Sequence, residues 1–144
     1  MNKLMQTNSG WAGLILRLAL GVVMFPHGAQ KLLGWFGGYG FSGTMGFFTG
    51  MGMPAVVGFL IIMGESLGSV ALILGFMTRF CAASIGMIML GAVFMVHIKN
   101  GFFMNWTGQQ AGEGFEYHIL ALGICVALVV LGGGKFSVDK ALSS

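Results

Sequence analysis

Few residues in this 144-residue chain can do chemistry, because only 8% of it is charged while 56% is hydrophobic. Arg17 and Glu65 are full charges inside long apolar runs. Near the centre of a bilayer each would cost roughly 2.5–3.5 kcal/mol, so each is expected to have a buried partner or a task. The three histidines, His27, His97 and His118, stand near the ends of apolar runs, beside Lys31, Asn100 and Glu116 respectively. Imidazoles gathered in one layer could ligate a metal, hold the carbonyl of a quinone headgroup, pass protons, or only satisfy hydrogen bonds between helices. Glu65 is the candidate proton relay. Paired with Arg17, it would instead lock two helices together.

The elements that must position these groups are apolar and long. A mean hydropathy of +0.89 with 26 glycines excludes a soluble domain, which would leave large apolar patches facing water. Four runs, about 11–36, 54–77, 80–98 and 115–133, each approach the ~20 residues that a helix needs to cross the hydrocarbon core. They are continuous and do not alternate, which argues against a membrane β-barrel. The first run contains Arg17 and is too long for a cleavable signal peptide. The expected fold is therefore an all-α integral membrane protein, a single domain over 1–144 built as a four-helix antiparallel transmembrane bundle. Between the first two spans, residues 34–53 carry no charge, many glycines and six aromatics, and are expected to form an interfacial loop.

Lys3, Arg79, Lys135 and Lys140 would share one side of such a bundle, against Lys31 and Lys99 on the other. The positive-inside rule then places both termini in the cytoplasm. The net charge of +3 fits anionic headgroups and calls for no nucleic acid. At ~1.5 Å per residue, Arg17 and Glu65 come within about 6 Å of each other in depth, which permits a buried ion pair. All three histidines fall in a layer near the outer face. There His27, Lys31, His97, Asn100, Glu116 and His118 are candidate lining for a polar ligand pocket. Pro26 removes a backbone donor just before His27 and favours a kink. His27, His97 and His118 are weak metal candidates, for no HxxEH, ExxH or CxxCH spacing is present. Cys81 and Cys125 lie roughly 12 Å apart in depth, too far for a disulfide.

The same residues carry a family resemblance. Arg17-Leu18-Ala19-Leu20-Gly21 followed by His27-Gly28-Ala29-Gln30-Lys31-Leu32-Leu33-Gly34-Trp35-Phe36 resembles the opening signature of the DoxX family. Gly64-Glu65-Ser66-Leu67-Gly68, Leu74-Gly75-Phe76-Met77-Thr78-Arg79, Val96-His97-Ile98-Lys99-Asn100, Glu116-Tyr117 and Gly133-Gly134-Lys135-Phe136-Ser137-Val138-Asp139 follow in order, with Arg79 in the short turn motif. The resemblance implies a small four-helix inner-membrane protein associated with quinone-linked redox chemistry. Relatives also serve as helper subunits of soluble redox enzymes. The expected function is a quinone-linked or redox-associated membrane subunit with a pocket near the outer face. The alternative is a non-enzymatic helper or assembly subunit, or a carrier of a small lipophilic solute, and the sequence leaves open whether the chain is itself an enzyme. The sequence leaves the cofactor open, with quinone a candidate, and no flavin, haem or iron–sulfur motif is recognisable in it, which weakens a stand-alone enzyme. The bilayer, a redox partner subunit and further copies of the chain are the expected partners.

Overall fold

Regular structure begins where the buried stripes of the sequence begin. The computed structural model describes residues 5–7 and 10–143; Lys3 lies outside them. Helix α1 (Trp11–Leu33) buries Gly13, Arg17, Leu20, Gly21, Met24 and Gly28, steps of three and four that make one face. It runs through Pro26 and stops at Gly34, whose φ of 74° is the left-handed conformation of a helix end. A 3₁₀ turn, Trp35–Gly37, leads into α2 (Gly40–Gly50). The segment expected as a loop thus contains an eleven-residue helix, packed on α1 and on α3 (Ala55–Leu74). Helix α4 (Thr78–Ala92) continues through a π turn, Val93–His97, and a 3₁₀ turn, Ile98–Asn100. After a loop over 101–115 come α5 (Glu116–Leu131) and the short α6 (Val138–Ser143).

All regular structure among the described residues is helical. Three stretches, Trp11–Leu33, Ala55–Leu74 and Thr78–Asn100, are long and apolar enough to cross a membrane. The fourth expected span is shorter, because Gly132 (φ 77°) ends α5 after 16 residues.

Helix α1 lies closest to α3. A Cβ on Gly28 would stand 2.6 Å from Ser66 Cα, so only glycine allows this approach, and Ser66 Oγ donates to the Gly28 carbonyl at 3.0 Å. Helix α4 packs on α5 and less extensively on α3, and Leu20, Met24, Leu72, Ile85, Met89 and Leu128 fill the core between them. Cys81 and Cys125 are both free and buried.

The helix ends near the two termini are joined by polar groups. Arg17, only 2% exposed, donates from Nε to Gly133 O at 2.9 Å. Its Nη1 donates to Leu72 O and Ile73 O, and its Nη2 to Lys135 O and Phe136 O, so five carbonyls surround one guanidinium. Two of them belong to the C-terminal end of α3, where a cation also suits the helix dipole, and Leu72 O accepts the Gly75 N–H as well. Asp139 is the mirror case. Its carboxylate accepts the Met77 and Thr78 N–H groups at 2.7 and 2.8 Å, which caps the start of α4. Arg79 donates to Val129 O near the end of α5 and to Gln6 O.

Arg17→Ala should lower stability by roughly 3–5 kcal/mol, the range for removing a charged partner from a buried polar assembly. Arg17→Lys should recover only part of it, having three donors in place of five. Thermal melts of the detergent-solubilised variants measure this, and a wild-type melting profile for Arg17→Ala would show that the carbonyl cluster does not need its guanidinium.

Candidate functional site

From the opposite end of the helices down to the turn between α3 and α4 runs a cavity of about 990 Å³, lined by residues of α1, α3, α4 and α5 and walled on one side by α2. Most of its lining is apolar, with methionines such as Met24, Met63, Met89 and Met95. The polar groups collect at one end: His27 and Lys31 from α1, Glu65 from α3, His97 from the π turn, Glu113 from the loop, and Tyr117 and His118 from α5. His27 and Lys31 are one helical turn apart, so the same face of α1 delivers both. His118 belongs to the buried stripe of α5 with Ala121, Cys125 and Leu128.

The expected pair of Arg17 with Glu65 is not formed. Lys31 Nζ meets Glu65 Oε2 at 2.5 Å instead, with the Glu65 carboxylate buried. The reason is register. Gly28 of α1 abuts Glu65 and Ser66 of α3, which sets Arg17 eleven residues, about 16 Å along the axis, away from the level of Glu65. Arg17 therefore meets Leu72 and Ile73, while the long lysine reaches back one turn to the carboxylate.

Two imidazoles stack at the polar end. The His97 and His118 ring centroids are 4.2 Å apart and the planes are tilted by 41°. His97 Nδ1 lies 2.8 Å from the Glu113 carbonyl, which can only accept, so Nδ1 carries the proton and Nε2 of the neutral ring is an acceptor. His118 is 6% exposed, and its Nδ1 has no hydrogen-bond partner. His27 lies within electrostatic range of His118. The Tyr117 hydroxyl approaches Met24 Sδ at 3.8 Å.

Not every expected residue reaches the cavity. Glu116 turns into the loop, where Oε1 accepts the Met104 N–H at 2.8 Å and the Trp106 indole N–H at 3.1 Å. Asn100 donates to the same Glu113 carbonyl that orients His97, so it stands behind the histidine and outside the lining. Arg79 belongs to the far end of the helices. Among the described residues, no group of three or more His, Cys, Asp or Glu is placed to hold a metal ion, so the three histidines form no ligand set. Glu113 and Tyr117 are lining residues that the site reading of the sequence did not select. Tyr117 could have been found from its position one residue before His118. Glu113 enters through a loop fold that no periodicity describes.

The comparisons with known proteins agree on family. The family model described as DoxX matches residues 12–98. Putative oxidoreductase CatD of Bacillus subtilis (strain 168) is 29% identical over 123 residues, which cover 85% of this chain and 80% of that protein. No solved structure matches.

Lys31→Met and Glu65→Gln should couple by roughly 0.5–3 kcal/mol in a double-mutant cycle read by detergent melts. Arg17→Met with Glu65→Gln should add within about 0.5 kcal/mol, the behaviour of separated sites. The reverse pattern would reinstate the Arg17–Glu65 pair.

Proposed function

This chain belongs to the DoxX family, and from that premise we propose that it is a membrane subunit of an oxidoreductase system that binds a quinone-like headgroup at the histidine end of its cavity. One observation carries the reading. His118 lines the cavity and its Nδ1 is buried without a partner, a condition that costs about 1–3 kcal/mol and that a ligand oxygen reaching it would relieve. A quinone carbonyl is an acceptor of that kind, and the methionine-rich remainder of the cavity suits an apolar ring. The name of the Bacillus relative, an oxidoreductase, points the same way.

Reduction of a quinone to a quinol takes up two electrons and two protons. In this reading a partner subunit carrying a redox group supplies the electrons, and the chain supplies the site. His118 holds one oxygen. His97, stacked on it and tied to Glu113 at the loop, offers Nε2 as the acceptor through which a proton passes between the site and the loop. The Lys31–Glu65 pair fixes α1 against α3 beside the headgroup.

The setting proposed is a bacterial inner membrane, with α5 as a fourth crossing in an antiparallel four-helix bundle. The basic residues Arg79, Lys135 and Lys140 then face the cytoplasm with the termini, and the histidines lie toward the outer face.

Titration of the purified protein with a short-tailed benzoquinone, followed by tryptophan emission, should saturate. His118→Ala should weaken the affinity at least tenfold, about 1.4 kcal/mol. A wild-type protein that gives no response, or a His118→Ala variant that binds as tightly as wild type, would remove the quinone site.

A further inference from the structure

The cavity is longer than a headgroup needs. Along α3, Gly64, Gly68 and Ala71 recur at steps of four and three, and along α4 so do Ser84, Ile88 and Gly91; all six line the cavity. Two facing helical stripes of mostly small residues make a trough, which continues from the polar end to the turn between α3 and α4. From Gly64 to Ala71 it covers about 10 Å of α3. The trough exists because these two helices, although joined by a three-residue turn, each pack more closely on another partner, α3 on α1 and α4 on α5. Its lips, Leu67 and Met87, are exposed, so the trough is open sideways at their level, while Ile88 reaches across to Gly64.

We infer that the ligand is a long-chain amphiphile, a headgroup bearing a single prenyl or alkyl tail, which passes sideways between α3 and α4 and lies with its tail in this trough and its head at His118. The inference rests on the headgroup site proposed above and specifies the substrate class and the route of access. Two features on the same cavity favour this occupant over a compact solute. The unpartnered His118 Nδ1 marks one end as the place for a polar head. The rest offers a continuous apolar channel with flexible methionine walls, which adapt to a chain of irregular shape. A compact solute would fill only the polar end and leave the trough empty.

The test uses the full chain in nanodiscs and two benzoquinones that differ only in tail, methyl and decyl, with partitioning into empty nanodiscs subtracted. Wild type should bind the decyl compound at least tenfold more tightly than the methyl one. Ser84→Trp, which fills the trough well below the headgroup, should remove that gain and leave methyl-quinone affinity within twofold of wild type. Gly91→Leu, at a position where a Cβ meets no atom within 4 Å, should also reduce the gain, and it carries the test if Ser84→Trp does not fold. Equal affinity for both tails in wild type would overturn the trough and leave the headgroup site standing. A tail gain that survives both substitutions would overturn it as well, and so would a change of oligomeric state in Ser84→Trp with the gain intact, which would assign the trough to a second copy of the chain. If neither quinone binds wild type, the headgroup site falls, and the tail site falls with it.

Discussion

The interaction on which the rest of the structure depends is that of one buried guanidinium with five backbone carbonyls. Helix C-termini leave carbonyls without partners, and in apolar surroundings no water can satisfy them. Arg17 supplies donors from the middle of a neighbouring helix, and the planar fork of its five N–H groups can reach α3 and the C-terminal segment together. The segment held in this way brings in Asp139, which accepts the first N–H groups of α4. One arginine and one aspartate thus tie α1, α3, α4 and the chain's C-terminal part at a single level, and Arg79 adds α5.

That arrangement separates two kinds of polar residue. Those near the termini are satisfied by backbone groups and hold the helices. At the other end, Glu116 and Glu113 fold the loop over the helix ends through main-chain contacts at Met104 and Asn105. The same loop presents the carbonyl that fixes the tautomer of His97. Two buried side-chain atoms lack a partner among the described residues, Thr78 Oγ1 at the end near the termini and His118 Nδ1 at the other. His118 also lines the cavity, and the proposed headgroup site rests on that combination. Gly28 brings the backbones of α1 and α3 together, whereas Gly91 leaves open space.

Much of this was legible in the sequence. The apolar runs marked α1, α3 and α4, and the charges and histidines inside or beside them marked the residues worth following. The departures have local causes. Gly34, Gly75 and Gly132 adopt positive φ and end their helices earlier than hydropathy alone suggests. The helix over 40–50 was hidden by its glycines, which have low helix propensity. In the site, Glu116 was expected in the pocket because it opens α5, yet its carboxylate is taken by Met104 and Trp106.

By itself the sequence determined the apolar runs and the height of each polar residue along them, since a rise of ~1.5 Å per residue holds whatever the helix packs against. It therefore placed Arg17 and Glu65 at depth and His118 in a layer near one end. Only the tertiary structure decided whom they meet. Partner choice depends on the relative height of separate helices, and that height is set where Gly28 admits Ser66, a contact 38 residues apart in the chain that no local pattern encodes. This one register gives Glu65 to Lys31 and Arg17 to the carbonyls of Leu72 and Ile73.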